Sequence, residues 1–496
     1  MSKPETERKD WADLDSDEEI QKIRDKVEDL KTTESASKPE TKDAVPDLAS
    51  RLGPKEGEQK DEGKKEEAAP ADKKEEHTSN LVQNDNEVRV KLADLQADPN
   101  SPLFSAKSFD DLNLKPELLK GVYAMKFQKP SKIQEKALPL LLSNPPRNMI
   151  GQSQSGTGKT AAFALTMLSR VDPSVPKVQA ICLAPSRELA RQIMDVVVEM
   201  GKFTDIKTAF GIKDSVPKGQ KITAQIVIGT PGTVMDLMKK RQLETREVKV
   251  FVLDEADNML DQQGLGDQSM RIKHQLPRAA QIVLFSATFS AQVEQYAHRF
   301  APNANEIRLK PEELSVEGIK QLFMDCKNEA HKYDVLVELY GLMTIGQSII
   351  FCRKKETAEE ISRRMTADGH AVSCLTGNLE GAQRDEVMDS FRAGKTKVLV
   401  TTNVIARGID VSQVNMVVNY DLPVDQAGRP DPQTYLHRIG RTGRFGRVGV
   451  SINFVHDAKS WAEMEAIEKY FGRPILRVPA DDYEELEKAV KFASQS

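Results

Sequence analysis

From Ser108 onward, short continuous apolar runs alternate with longer stretches at helical spacing. Ala180–Leu183, Gln225–Ile228, Val250–Leu253 and Gln281–Phe285 are such runs in the first half; Ser348–Phe351, Lys397–Val400 and Met416–Asn419 follow in the second. A strand that is apolar along its whole length needs cover on both faces, which a sheet with one wet face does not provide. The pattern therefore predicts α/β architecture with parallel sheets between layers of helices. It fades over Pro302–Ser315, where Pro, Asn and charged residues gather. A chain of 496 residues is also too long for one compact core. The expectation is two α/β domains, 98–302 and 318–496, joined by a linker over 303–317.

The remaining N-terminal part, 1–97, has a different character. Residues 1–80 hold 16 Lys and Arg against 24 Asp and Glu, so the net charge of −5 divides into an acidic tail and a body near +3. A mildly basic body is compatible with a nucleic-acid partner. The stretch 32–80 is rich in Lys, Glu, Pro and Ser with few large apolar residues, and is expected to be disordered. Ile20, Ile23, Val27 and Leu30 recur at helical spacing after Ser16, which predicts a short amphipathic helix over 17–31. Val88, Val90 and Leu92 are too apolar for plain linker. The four cysteines are scattered with no C-x-x-C pair, as expected of core thiols in a reducing compartment. No apolar run approaches the ~18–20 residues that span a bilayer, so no membrane insertion is expected.

Ser153-Gln-Ser155-Gly156-Thr157-Gly158-Lys159-Thr160 follows an apolar run ending at Ile150 and opens a helix at Ala161. Glycines there let backbone N–H groups approach phosphates at a helix N-terminus. Lys159 is spaced to reach the outer phosphates and Thr160 to ligate Mg²⁺. Ser153 stands where such loops usually begin with glycine. Phe251-Val-Leu253 then runs into Asp254-Glu255-Ala-Asp257. Carboxylates at the C-terminal end of a buried strand project into the crevice where α/β sheets bind ligands. Asp254 suits Mg²⁺ through water, and Glu255 suits polarisation of an attacking water as general base.

Asp254-Glu-Ala-Asp257 resembles the signature of the DEAD-box helicases, and further motifs of that family appear in order. The resemblance implies two tandem RecA-like domains, ATP as substrate and Mg²⁺ as cofactor. Phe127-Gln-Lys-Pro-Ser-Lys-Ile-Gln134 is similar to the adenine-recognition motif, with Gln134 reading the adenine edge and Phe127 stacking on the ring. Phe109 matches a more distant aromatic of that motif. Pro185-Ser-Arg187-Glu188-Leu-Ala190 and Thr230-Pro-Gly232-Thr233 resemble two RNA-contacting motifs, with Thr233 where arginine is usual. Of a glycine pair expected between them, only Gly211 is near. Ser286-Ala-Thr288 resembles the element coupling ATP state to unwinding, together with Asp257. Ile350-Phe-Cys352 is similar to the fourth motif, and Gln383-Arg384 lies near a Q-x-x-R element without its spacing. Thr401-Thr-Asn403 with Arg407-Gly408-Ile-Asp410 resembles the fifth motif, which implies Thr401 on RNA and Gly408 and Asp410 near the nucleotide. His437-Arg438-Ile-Gly-Arg441-Thr-Gly-Arg444 resembles the sixth, whose Arg441 and Arg444 would complete the ATP site from the second domain.

Tyr123-Ala-Met125, Asn144-Pro-Pro146, Asp421-Leu-Pro-Val-Asp425, Arg429-Pro-Asp431 and Val478-Pro-Ala-Asp481-Asp482 are similar to the mRNA-export branch of that family. This implies a monomer remodelling mRNA–protein particles, shuttling between nucleus and cytoplasm and acting at the cytoplasmic face of the nuclear pore complex. The implied partners are single-stranded RNA, a Gle-type activator with inositol hexakisphosphate, and an FG-nucleoporin. RNA contacts from Pro185, Arg187, Thr230, Gly232 and Thr401 would go to phosphates and 2′-hydroxyls and would not read sequence. The residues alone leave open whether duplexes are unwound or proteins displaced, and whether the strand is RNA or DNA.

Overall fold

The computed structural model describes residues 88–92, 105–152, 157–261, 264–309, 318–342, 346–403, 411, 413–443 and 449–478. The expected helix over 17–31 and the expected disorder over 32–80 lie outside the described residues. Among those residues no helix is long and apolar enough to cross a membrane.

The first sheet contains β1 (Val88–Lys91), β2 (Met149–Gln152), β3 (Ala180–Leu183), β4 (Thr208–Gly211), β5 (Ile226–Gly229), β6 (Val250–Leu253), β7 (Gln281–Ser286) and β8 (Asn305–Leu309). Among the described residues their order is β1-β8-β2-β7-β6-β3-β5-β4, and every pairing is parallel except β1 with β8. The second sheet contains β9 (Ile319–Asp325), β10 (Gln347–Phe351), β11 (Val372–Leu375), β12 (Val398–Thr401), β13 (Val414–Asn419), β14 (Gly449–Val455) and β15 (Leu476–Val478). It is parallel throughout, in the order β11-β12-β10-β13-β14-β9-β15.

The continuous apolar runs have the explanation expected of them. Alternate residues of β3 and β6 enter opposite cores: Cys182 and Val252 on one face with Phe163, Leu183 and Phe251 on the other with Phe300. In β10, Ile350 and Ile349 divide in the same way. Parallel strands put all their C-terminal ends along one edge. β2, β7 and β6 are neighbours, so the loop after β2, the carboxylates after β6 and Ser286 at the end of β7 emerge side by side.

The structure carries the first sheet further in both directions than the boundaries at 98 and 302. Val88–Lys91 pairs antiparallel with Asn305–Leu309, so the N-terminal extension supplies an edge strand and the expected linker begins with β8. Both were obscured because they are short strands rich in polar and charged residues, β1 at the sheet edge and β8 beside it. Val90 sits opposite Ile307, Lys91 reaches Glu306 at 3.4 Å, and Leu92 enters the first core. Gly211, the one glycine near the expected pair, registers against Gly229 of the adjacent strand.

Leu92→Ala should therefore destabilise the first domain by about 2–5 kcal/mol, the usual range for emptying a buried leucine site. A chain starting at residue 98 should melt below one starting at residue 87. Equal melting temperatures would mean that β1 adds nothing to the fold.

Candidate active site and interdomain cleft

The helix Lys159–Arg170 starts directly after Gly158, whose φ of +96° is a left-handed conformation that suits glycine. The turn is tied to the preceding helix. Ser131 Oγ donates to the Thr157 carbonyl at 2.7 Å, and Gln134 Nε2 donates to the Gly158 carbonyl at 2.9 Å. Gln134 Oε1 accepts from the Ser131 N–H at 3.0 Å, which closes a capping box at the start of the helix Lys132–Leu142. Gln134 is thus buried against the phosphate loop, bonded through both amide atoms, each of which keeps further bonding capacity for an adenine edge. Phe127 packs half-buried against the first core, and Phe109 is buried within it.

Three carboxylates meet this loop at the end of β6. Asp254 is 2% exposed, and burial pushes its carboxyl up to about 6 against the pull of the Lys159 ammonium, with Glu255 and Asp257 pushing upward as well. Its Oδ1 accepts from the Glu255 N–H at 3.0 Å. Glu255 has φ of +52°, a region costly for a residue with a Cβ, and is held there by the turn into the helix Ala256–Asp261. Asn258 Nδ2 donates to Glu255 Oε2 at 3.2 Å, which fixes the carboxylate's direction. Among the described residues no group of three or more His, Cys, Asp or Glu gathers as a metal cage. Asp254 and the half-buried Thr160 hydroxyl instead fit Mg²⁺, a hard cation commonly held by one or two protein oxygens with phosphates and waters.

Asp257 links this site to the second domain. Its Oδ2 accepts from the Thr288 N–H at 3.0 Å and the Thr288 hydroxyl at 2.8 Å, while its own N–H donates to Ser286 Oγ at 3.1 Å. From the helix Pro432–Ile439 of the second domain, His437 Nε2 lies 3.3 Å from the same Oδ2, and Gln433 Oε1 lies 3.3 Å from the Thr288 hydroxyl. The expected coupling residues Asp257, Ser286 and Thr288 are therefore one hydrogen-bonded cluster that touches both domains. Arg441 is buried nearby, with Nε donating to the His437 carbonyl at 2.9 Å. Arg438 is an anchor: it bonds Asn403, Asn419 and the Asp421 carbonyl, and burial pushes it down to about 10.

A second seam contact runs between the helices Arg187–Gly201 and Gly381–Arg392. Arg187 donates through Nε and Nη2 to Asp385, at 3.0 and 2.7 Å. Arg191 reaches Asp385 at 2.8 Å and Asp389 at 3.1 Å, and Arg392 lies 3.7 Å from Asp195. Buried Glu188 meets Arg384 at 2.7 Å, a charge contact without hydrogen-bond geometry.

These helices border a cleft of about 1260 Å³ lined by Pro185, Arg187, Lys213, Thr230, Gly232 and Gln268, with Arg384, Val424, Asp425 and Arg429 from the second domain. Four of the five expected RNA contacts line it. Thr401 does not: it ends a central strand, is fully buried, and donates its hydroxyl to the Leu375 carbonyl at 2.7 Å. Ser155, Gly156, Gly408, Asp410 and Arg444 lie outside the described residues. The sequence reasoning missed Asn258, Asp385 and Gln433. Asn258 carries no motif signal, and Asp385 and Gln433 gain meaning only against partners in the other domain. Ser131 had a signal, its capping-box spacing to Gln134.

Family models match the chain at residues 131–296, described as DEAD/DEAH box helicase, and at 331–446, described as helicase conserved C-terminal domain. The ATP-dependent RNA helicase dbp5 of Schizosaccharomyces pombe is 78% identical over 492 residues, 98% of this chain and 97% of that protein. The structure of Saccharomyces cerevisiae Dbp5 bound to RNA and ADP BeF3 is 62% identical, with a TM-score of 0.76, covering 78% of this chain and 100% of that one. A Dbp5 variant from the same yeast, bound to Nup159, a Gle1 variant, IP6 and ADP, matches at 60% identity and TM-score 0.58, covering 77% and 100%.

Gly158→Ala would place a Cβ 2.5 Å from Gln134 Nε2 at an unfavourable φ. The left-handed conformation alone costs about 1–2 kcal/mol, about 5- to 30-fold if taken from nucleotide binding. Titration with a fluorescent ATP analogue should read a loss of that order, and unchanged affinity would disconnect the loop from the nucleotide.

Proposed function

The chain belongs to the DEAD/DEAH-box helicase family and is an ATP-dependent RNA helicase; from that premise we propose that ATP is hydrolysed at the seam of its two domains, which close together on one RNA strand. The observation that carries the reading is Asp257, whose carboxylate binds Thr288 beside the ATP site and lies against His437 of the other domain. A change at the nucleotide is then felt across the seam without a long relay.

In this reading the loop at Gly158 and the N-terminus of the helix that follows receive the phosphates, and Lys159 neutralises their outer oxygens. Gln134 and Phe127 hold the adenine, Gln134 also bracing the phosphate loop. Ser155, Gly156, Thr157, Gly408 and Asp410 complete the nucleotide contacts. Thr160 and Asp254 hold Mg²⁺, which when bound neutralises charge on the transferring phosphoryl. Glu255 accepts the proton of the attacking water, its carboxylate aimed by Asn258. Arg441 and Arg444 bring positive charge from the second domain only when the seam is closed. Hydrolysis consequently requires closure, and a strand gripped by both domains favours it, so ATP and RNA affinities rise together.

RNA occupies the cleft at Pro185, Arg187, Thr230 and Gly232. Arg187, engaged by Asp385, joins the domains at the cleft wall. The partners are RNA, a Gle-type activator with inositol hexakisphosphate, and an FG-nucleoporin, in keeping with the complexes formed by the yeast relative. We infer a role in mRNA export at the cytoplasmic face of the nuclear pore, with passage between nucleus and cytoplasm.

Glu255→Gln keeps the shape of the side chain and removes its basicity. Turnover should fall by about 10²–10⁴-fold, while ATP and RNA still bind; near-normal turnover would remove Glu255 from the role of base. Asp389→Lys sets a cation against Arg191. It should lower RNA-stimulated ATPase by about two- to fivefold, the scale of one partly exposed ion pair, and added Arg191→Glu should recover part of the loss. Equal activity of all three proteins at low salt would separate the helix pair from closure.

A further inference from the structure

The segment between β13 and the helix Pro432–Ile439 is a small hairpin that the catalytic scheme does not use. Val424 bridges Pro430 antiparallel, the Asp425 N–H donates to the Arg429 carbonyl at 2.8 Å, and Gly428 turns the chain at φ of +76°. One carboxylate organises the whole element. Asp425 Oδ1 accepts from the N–H groups of Ala427 at 2.8 Å and Arg429 at 2.9 Å, and Oδ2 accepts from Arg429 Nε at 2.9 Å. Arg429 Nη2 lies 2.8 Å from the same Oδ2, and the arginine side chain is 78% exposed.

This hairpin lines the same cleft as Arg187, Lys213, Thr230 and Gly232 of the first domain. Asp425 takes the Nε and Nη2 side of the guanidinium, and among the described residues Nη1 has no protein acceptor. The fork is therefore held in a fixed direction before any ligand arrives, which reduces the entropy lost when it binds. The nearby Asp431 is occupied as the cap of the next helix, accepting from the Thr434 N–H at 2.9 Å. That helix carries Gln433 and His437, which meet Thr288 and Asp257 at the ATP site.

We propose that the hairpin Val424–Pro430 is a strand-binding wall of the RNA cleft and that Arg429 contacts a backbone phosphate through Nη1. The proposal rests on the reading of that cleft as the RNA site. The ligand class follows from the chemistry: a fixed guanidinium edge at the wall of a long groove suits an anionic oxygen and reads no base. It also places a strand contact four residues before Gln433, on the segment that reaches the coupling cluster.

The test uses the full chain with ADP–beryllium fluoride and a fluorescently labelled single-stranded oligouridine, with binding followed by anisotropy over a salt series. One lost phosphate contact to a single strand should reduce the slope of log affinity against log salt by about 0.7. Arg429→Ala should show that reduction together with weaker binding, and Arg429→Lys should retain the wild-type slope. ATP affinity without RNA should be unchanged in both. Thr230→Asp, a first-domain residue of the same cleft, serves as the separate test of the cleft. If Thr230→Asp abolishes binding while Arg429→Ala keeps affinity and slope, the hairpin's role is overturned and the cleft reading stands. If neither variant alters RNA binding, both readings fall.

Discussion

Three carboxylates within four residues, Asp254, Glu255 and Asp257, are buried together at the end of one strand, and the rest of the molecule is arranged around keeping them there. Like charges removed from water repel strongly and lose hydration. Asp254 answers this partly by a raised affinity for protons and partly by the Lys159 ammonium. Glu255 is braced by Asn258, while Asp257 is met by the Thr288 N–H and hydroxyl and lies beside His437. The excess negative charge suits a site whose ligand brings a cation with it. Backbone strain at Glu255 concentrates in the same few residues, at the turn that aims the proposed base.

Because the third carboxylate is bonded by Thr288 of its own domain and lies against His437 of the other, the seam adjoins the candidate active site. Closure brings His437 and Gln433 to Asp257 and Thr288, and brings the helix Gly381–Arg392 against Arg187–Gly201. The second contact consists largely of partly exposed ion pairs, each worth little alone. Buried Glu188 against Arg384 is different, since opening the seam there gives solvent back to a charge that is otherwise covered. A junction built from many weak charge contacts and few apolar ones can form and break in each cycle. Strong apolar burial would hold it shut.

The cleft proposed for RNA shares its walls with that seam, so a strand bound there would bias the ATP site. Arg187 borders the cleft and grips Asp385, and the hairpin around Asp425 leads directly into the helix that carries Gln433 and His437. The lining mixes charged groups and hydroxyls with Met235, Leu265 and Val424, and among the described residues it includes no aromatic ring on which a base could stack. Such a surface grips the backbone of a strand whatever its sequence.

The sequence by itself determined the α/β class, the two domains and most of the candidate nucleotide site. Those features rest on local rules: apolar strands covered on both faces, a glycine-rich turn before a helix, and carboxylates at a strand's end. Gln134, Lys159, Asp254, Glu255 and Asp257 were legible because each sits at a fixed offset from such an element. Only the tertiary structure decided that Val88–Lys91 and Asn305–Leu309 complete the first sheet, since short strands rich in polar and charged residues read like linker. It alone decided that Thr401 and Phe109 are buried, because burial depends on neighbours far away in the chain. Asp385, Gln433 and Arg429 are ordinary polar residues in the sequence. Their meaning comes from partners and walls that folding sets beside them, across as many as 198 positions between Arg187 and Asp385.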